Sequence, residues 1–213
     1  MQGCTKTRTQ RSPMRLLLPT ACVLAATALY ASLAFRTSSV QAGTARKMDV
    51  EALVNAADIA FQGTILSKHA RLGANNLIET EYIIAVKKTF WGEELVSRSV
   101  RLPGGVLPDG RGLVLAGMPN LVEREEVVLF LSAASVGGLR MPVGLAQGKF
   151  RVQRLLNGST RLVRDSSELQ LSNPATGKLE EAPPRSVYSY AQVTGEILAA
   201  VAARKARIKA QGK

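Results

Sequence analysis

One stretch of alternating side chains constrains the fold more than any other feature of this sequence. Residues 77–92 read LIETEYIIAVKKTFWG, with mostly apolar side chains at even positions from Ile78 to Val86 and with Glu79 and Glu81 between them. A period of two, rich in β-branched and aromatic residues, is typical of a half-buried β-strand. At about 3.3 Å per residue the strand reaches roughly 45 Å, so it must coil or bend in a small domain. We therefore predict a mainly β fold whose sheet curls into a small barrel.

The first 42 residues are predicted to be a leader rather than part of this fold. A basic start precedes an uncharged run at residues 16–35, and small residues occupy the −3 and −1 positions of a cut before Gly43. This order is typical of a secretory signal peptide. An uncleaved anchor at residues 16–35 is the alternative, because a run of that length can span a bilayer. Translation from Met14 instead of Met1 would give a shorter leader.

The composition after Gly43 excludes several kinds of chemistry. Cys4 and Cys22 both lie in the leader, so disulfides and thiolate sites are not expected in the mature chain. His69 is the sole histidine, which leaves no common zinc site. The formal net charge of +12 overstates the basic character, because the leader carries five of the 28 basic residues and no acidic one. We expect no metal and no cofactor.

Nucleic-acid binding is also not expected. Single-stranded nucleic acids are held by exposed aromatic side chains interleaved with basic ones. In this sequence Phe61, Tyr82 and Phe90 fall on inward-facing positions of predicted strands, and Phe130 lies in a continuous apolar run.

The pattern divides the chain into three parts after the leader. Residues 43–166 form the predicted β-barrel domain, residues 167–188 a linker with a small ribbon, and residues 189–213 an amphipathic C-terminal helix with a basic tail. Ser189 followed by Gln192 is typical of the start of that helix.

Within the barrel domain, several local signals predict individual elements. A short helix at residues 46–57 is capped by Asp49. A strand at residues 58–66 contains Gly63, where it can bulge, and a polar loop follows at residues 68–76. Further strands are predicted at residues 99–102, 113–116 and 126–131, the last covered on both faces. Asn157-Gly158 predicts a type I′ hairpin.

The candidate binding residues lie at a strand end and in a loop. Trp91 closes the long strand, and the glycine-rich loop at residues 103–119 contains Gly104, Gly105, Asp109 and Arg111. Loops on a rigid scaffold are common recognition sites. The alternative for Trp91 is that it plugs one end of the barrel.

The sequence predicts no catalytic group as strongly as it predicts these binding residues. Glu79 and Glu81, two residues apart on one strand face, would lie roughly 7 Å from each other, within the range of glycosidase carboxylate pairs. Alternation already explains both as members of a solvated outer face. His69 has no nucleophile or acid placed beside it by the sequence, so we predict an exposed loop histidine.

Part of the chain resembles a known module. The segments NAADIAFQGTILS, ETEYIIAVKKTFWG and EEVVLFL, between residues 55 and 131, resemble the netrin-like module of the tissue inhibitors of metalloproteinases. This resemblance implies an OB-like β-barrel, closed or partly open, between the N-terminal and C-terminal helices. The segment GLAQGKF, residues 144–150, also resembles a type of uncharacterised exported bacterial protein. The inhibitors act through an N-terminal cysteine that this chain lacks, so the resemblance implies a fold and transfers no functional residue.

These observations predict an exported, non-enzymatic binding module in the periplasm or outside the cell. The expected partner is a macromolecule held by barrel-end loops: an exported protein, with proteases among the candidates, or an anionic envelope polymer. The alternatives are an envelope glycan hydrolase that uses carboxylates and a membrane-tethered structural protein. Membrane attachment is expected only if the leader is retained.

Overall fold

Strands are the predominant regular structure in the residues that the structure describes, and helices cover far fewer of them. The structure is a computed structural model and describes residues 43–73 and 76–212, so the predicted leader at residues 1–42 lies outside it. The strands are β1 Gly43–Arg46, β2 Ile59–Leu72, β3 Ile78–Trp91, β4 Ser97–Pro103, β5 Gly105–Val106, β6 Gly112–Leu113, β7 Glu126–Leu131, β8 Lys149–Arg154, β9 Thr160–Arg164, β10 Leu169–Ser172, β11 Leu179–Glu181 and β12 Ser186–Ser189. The helices are α1 Val50–Ala56 and α2 Tyr190–Gln211, and a 3-10 turn covers Leu145–Gly148. The predicted mainly β fold, the short N-terminal helix and the C-terminal helix are confirmed.

Seven strands form one antiparallel sheet in the order β12-β9-β8-β7-β2-β3-β4. A small sheet, β1-β10-β11, contains the predicted ribbon, and β1 runs parallel to β10 within it. Strands β5 and β6 form a separate two-stranded ribbon. Among the described residues the main sheet does not close on itself, because β12 and β4 are its two edges. A closed barrel is therefore not found, and the OB-like interpretation stays a prediction.

The hairpin of β2 and β3 bends the main sheet. Each strand has 14 residues, and three register shifts between Ala60 and Ser67 mark bulges. A Cβ on Gly63 would lie 2.6 Å from the carbonyl oxygen of Ala85, so the two backbones approach closely at the predicted bend. The loop predicted at residues 68–76 is wrong in its first half, which continues β2. The strand continues there because its backbone hydrogen-bonds to β3, and this pairing does not require apolar side chains.

Apolar side chains lie on both faces of the main sheet, as β7 illustrates. Val127, Leu129 and Leu131 point to the face on which they share a buried cluster with side chains of β2, β3 and β4. Val128 and Phe130 point to the other face, which helices α1 and α2 cover. All five side chains are fully buried. The predicted central strand with two covered faces is confirmed.

Signals at helix starts and turns are confirmed in part. Asp49 Oδ1 accepts a hydrogen bond from the Ala52 backbone N–H at 2.8 Å and caps α1, and Ser189 caps α2 in the same way. The hairpin at Asn157-Gly158 joins β8 to β9 as predicted. Its predicted type I′ turn is wrong, because Gly158 has a φ of 81° while Asn157 does not adopt a positive φ. A type I′ turn needs a positive φ at both positions.

Candidate functional site

A cleft of about 270 Å³ opens on the face of β8 and β9 that the helices do not cover. Its apolar lining comes mainly from two parts of the chain that are distant in the sequence, the segment with Met118, Pro119 and Val122, and Val163 of β9. Charged side chains surround this lining: Glu125, Lys149, Arg151, Asp165 and Glu168. We call it the Lys149 cleft.

Alternation along β8 explains which side chains reach the cleft. Phe150 and Val152 are buried against the helices, so Lys149 and Arg151 must point to the opposite face. The same rule applies to β9, where Leu162 is buried on the helix side and Val163 lies in the cleft. The cleft is thus a direct product of the period of two in both strands.

Lys149 ties two walls of the cleft together. Its side chain is 14% exposed, and its Nζ donates hydrogen bonds to Glu125 Oε2 at 2.7 Å and to the Asn120 carbonyl oxygen at 2.5 Å. Burial lowers the pKa of Lys149, and the contact with Glu125 offsets only part of this effect. The ammonium group is therefore engaged in holding the segment before β7 against β8.

The two ends of the cleft present opposite charges to solvent. Near one end Arg161 Nε donates a hydrogen bond to Gln153 Oε1 at 3.0 Å. At the other end Asp165 Oδ1 accepts hydrogen bonds from the backbone N–H and hydroxyl of Ser167, at 3.1 Å and 2.8 Å. Arg151 stands beside the cleft with its side chain 44% exposed. Glu125 lies beside Arg151 at the first end, and Lys149 is attracted by Asp165 at the second, so both ends contain both signs. The side chains of Glu125 and Lys149 are only 10% and 14% exposed, so the charges that face solvent are Arg151 at one end and Asp165 at the other.

A second groove, about 450 Å³ in volume, lies beside the start of α1. Its polar groups already have structural roles. Asp49 caps α1, Lys47 pairs with Glu180 at 2.9 Å, and the backbone N–H of Met48 is bound by Gln147 at 2.9 Å. These three groups therefore maintain the local structure of the groove.

Trp91, predicted as a binding residue, lies at the end of β3 against the helix-side core. The guanidinium of Arg204 covers its ring at 4.1 Å from the centroid. Arg204 also donates hydrogen bonds to the carbonyl oxygens of Val54 and Ala57, both at 2.7 Å. These contacts give Trp91 a packing role at the strand end, whereas the alternative prediction, that it plugs one end of a barrel, stays a prediction.

The other predicted binding residues lie together at the opposite end of β3. The backbone N–H of Gly104 donates a hydrogen bond to the carbonyl oxygen of Ile78, 2.8 Å away, at the first residue of that strand. Gly105 has a φ of 137° and packs against Thr80. Asp109 and Arg111 form an exposed ion pair at 2.8 Å in the turn between β5 and β6. Their hydrogen bond lowers the pKa of Asp109 and raises that of Arg111.

The strand predicted at residues 113–116 is correct only at its first residue, because β6 covers Gly112–Leu113. The loop that starts at Pro103 nevertheless ends at the Lys149 cleft, whose lining includes Met118 and Pro119. Trp91 and the turn of Asp109 do not share one surface, because the full length of β3 separates Trp91 from Gly104.

The carboxylates Glu79 and Glu81 do not line the Lys149 cleft. The prediction that both face solvent is wrong for Glu79, which is 3% exposed. Its Oε1 accepts a hydrogen bond from Arg71 Nε at 2.9 Å and lies 3.3 Å from Arg101 Nη1. Partnership with two arginines on neighbouring strands explains how a carboxylate is buried at an outward position.

The residues that sequence reasoning missed are those of the Lys149 cleft. Lys149 and Arg151 were visible as the polar positions of an alternating strand, but Asn120, Glu125 and Asp165 come from other segments. One signal was available in the sequence: Arg161, Val163 and Asp165 follow each other at every second position.

Two further findings concern the described residues alone. Within residues 43–73 and 76–212, no helix combines the length and apolar character needed to cross a membrane. In the same part of the chain, no three His, Cys, Asp or Glu side chains come together as a metal ion would require. Comparison with known proteins finds no matching family model and no matching curated protein.

Proposed function

We propose that this protein is an exported, non-enzymatic binding domain that holds a segment of another exported protein in the Lys149 cleft. The observation that carries this proposal is the apolar lining of Met118, Pro119, Val122 and Val163 between charged ends. Apolar surface with a few placed polar groups is typical of recognition sites. The expected compartment is the periplasm or the exterior, reached through the general secretory route.

The size of the cleft favours side chains over a free small molecule. Ligand pockets usually enclose about 300–1,000 Å³, whereas this cleft encloses about 270 Å³. One or two side chains of a larger partner suit that volume, while the rest of the partner lies across the rim.

The polar groups of the cleft favour binding over catalysis. The ammonium of Lys149 is bound by Glu125 and by a carbonyl oxygen, and Asp165 is bound by the turn that follows it. A general base or nucleophile needs a free reactive atom oriented by a neighbour. These groups instead maintain the shape of the cleft.

We further propose that β7, β2, β3 and β4 form a partly open barrel of the OB-like type, related to the netrin-like module. Three observations support this: the 14-residue strands, the bulges in β2, and a fully buried cluster containing Ile65, Ile84 and Leu129 inside the curl. Leu121, fully buried in the same cluster, comes from the segment that lines the Lys149 cleft.

Affinity capture with matched variants tests the proposed function. Val122→Arg places a charged side chain in the cleft, and Val122 is 47% exposed, so the fold should tolerate it. Val96→Arg, at a residue 89% exposed in the β3–β4 connection, is the control. Tagged mature protein is incubated with an envelope fraction of its own organism, and retained proteins are quantified by mass spectrometry. We expect specific partners to be retained by the wild type and the control, and lost with Val122→Arg.

Equal retention by Val122→Arg and the control would contradict the assignment to the Lys149 cleft. A third variant, Val114→Arg, changes a residue 86% exposed in the loop that also carries Asp109 and Arg111. Selective loss with Val114→Arg would move the site to that loop. Thermal denaturation of each variant establishes that the fold survives.

A further inference from the structure

The sheet face of β8, β9 and β12 that includes the Lys149 cleft carries further polar side chains, which lie opposite one another on neighbouring strands. Arg151 lies opposite Val163, and Gln153 lies opposite Arg161. Paired residues of antiparallel strands point to the same face. Val163 in turn lies opposite Val187 of the edge strand β12, whose side chain is exposed. The two arginines are diagonal neighbours, which places their Cα atoms about 7–8 Å apart.

Strand β9 and the residue after it present three side chains of different chemical type on one face. Arg161, Val163 and Asp165 lie at successive odd positions, so they point to one face at steps of about 6.6 Å. Val163 and Asp165 both line the cleft, and Arg151, which is on the same face as Arg161, lines it too. The order along the face is cation, apolar position, anion. Val163 itself is 3% exposed, and the exposed apolar surface in the cleft comes from the neighbouring Val122, which is 47% exposed.

The guanidinium groups at the cationic end retain donors that the described residues do not use. Arg161 donates through Nε to Gln153, which fixes the plane of the guanidinium and leaves both Nη groups without a partner in that part of the chain. No hydrogen bond from Arg151 is found among the described residues, and its Nε lies 3.7 Å from Glu125 Oε1. Arginine pairs with free Nη groups bind carboxylates and phosphates in bidentate geometry.

We propose that this face binds an extended protein segment of the form acidic-x-apolar-x-basic. The acidic side chain contacts Arg151 and Arg161, the apolar one enters the cleft between Val163 and Val122, and the basic one pairs with Asp165. An extended segment has the same spacing of about 6.6 Å between alternate side chains as β9, so all three contacts can form together. The apolar position is the reason to choose a peptide over an anionic polymer, which has no side chain for that surface. This inference rests on the proposed binding function and specifies its partner.

Charge-swapped peptides test this proposal. The first probe is a fluorescent, end-capped nonapeptide with the central sequence Glu-Thr-Leu-Thr-Lys. Three further probes each carry one replacement in that sequence: Gln for Glu, Thr for Leu, or Lys for Glu. Binding to the full mature domain is measured by fluorescence anisotropy. We expect the first peptide to bind at least about tenfold more tightly than each of the others, a ratio equal to about 1.4 kcal/mol.

Two variants of the protein make the result specific. Arg161→Glu should lose the Glu peptide and gain the Lys peptide, an exchange that a loss of structure cannot produce. Arg151→Glu, at a more exposed side chain, should shift preference in the same direction even if Arg161→Glu fails to fold. Lys205→Glu changes an exposed cation on α2 and is expected to leave all affinities unchanged.

Four outcomes would overturn the proposal. They are absence of binding at millimolar peptide, equal affinity for the Glu and Gln peptides, unchanged preference in both arginine variants, and binding of polyglycerol phosphate in place of peptide. If natural partners are lost with Val122→Arg but retained by both arginine variants, the proposed function stands and the proposed recognition of charged side chains fails. If Val122→Arg retains its partners, the proposed function itself fails.

Discussion

The Trp91 indole and the Arg204 guanidinium join the C-terminal helix to the rest of the fold. Arg204 stacks on the ring and donates two hydrogen bonds to carbonyl oxygens at the end of α1. Those carbonyl groups have no partner within their own helix. One side chain thus links α2, the end of α1 and the end of β3, which explains why an aromatic residue at a strand end is a structural feature in this protein.

Arg204→Ala is expected to lower the free energy of unfolding by about 2–3 kcal/mol, because a stacked cation and two charged hydrogen bonds are lost. Urea denaturation followed by tryptophan fluorescence measures the change, since Trp91 is the sole tryptophan. Lys205→Ala, one residue along on the exposed side of α2, is the matched control and is expected to change stability by less than about 0.5 kcal/mol. Equal stabilities of the two variants would contradict the role given to Arg204.

At the scale of elements, the β2–β3 hairpin determines the curvature of the sheet. Two of its three register shifts lie between Ala60 and Gly63, where β2 pairs with both β7 and β3. The third, between Ile65 and Ser67, follows directly after Thr64, the last residue of β2 that pairs with β7. A strand held on two sides and then on one must change its twist, and this third bulge lies at that change. The alternating pattern revealed a long strand, but the partner change depends on β7, which follows in the chain only after residue 125.

Gly63→Ala tests the importance of this close approach. The added Cβ would lie 2.6 Å from the Ala85 carbonyl oxygen and 2.8 Å from Ile84 Cγ2. We expect a loss of at least about 2 kcal/mol, since packed backbone cannot move aside without breaking the ladder. Gly195→Ala is the control with the opposite sign: nothing lies within 4 Å of its added Cβ, and alanine favours the helix by up to about 1 kcal/mol.

Thermal denaturation by circular dichroism compares the two glycine variants under the same conditions. A melting temperature below wild type for Gly63→Ala and above it for Gly195→Ala is expected. An unchanged melting temperature for Gly63→Ala would mean that β2 and β3 can separate locally without cost.

At the scale of the whole molecule, the proposed export requires that the mature domain folds without its leader. Strand β1 begins at Gly43, whose backbone nitrogen donates a hydrogen bond to the carbonyl oxygen of Glu168 at 3.0 Å. An α-ammonium group created by cleavage before Gly43 keeps that donor. The small sheet of β1, β10 and β11 should therefore survive processing.

The exported protein is expected to have an N-terminal sequence that starts at Gly43, as determined by intact mass and N-terminal sequencing. The matched variant is Ala42→Arg, which removes the small residue that signal peptidases require before the cut. It should accumulate as the unprocessed chain. A wild-type protein isolated with residues 16–35 still attached would contradict cleavage and favour the anchored alternative.

Much of the fold was predictable because period and local hydrogen bonding are properties of short segments. Residues 77–92 gave a strand with bounds close to those of β3, Asp49 and Ser189 marked both helix starts, and buried Ile59, Phe61 and Ile84 were expected to face inward. Sheet order was less accessible, because it depends on contacts between segments far apart in the chain. The open edges at β12 and β4 follow from that order.

The Lys149 cleft shows the same division at the level of a site. Alternation alone puts Lys149 and Arg151 on one face of β8 and Arg161 and Val163 on one face of β9. The pairing of these strands with each other and the approach of the segment around Asn120 required the folded chain. Side-chain direction is a local property of an extended backbone, whereas proximity is produced by packing between distant segments, and a binding site needs both.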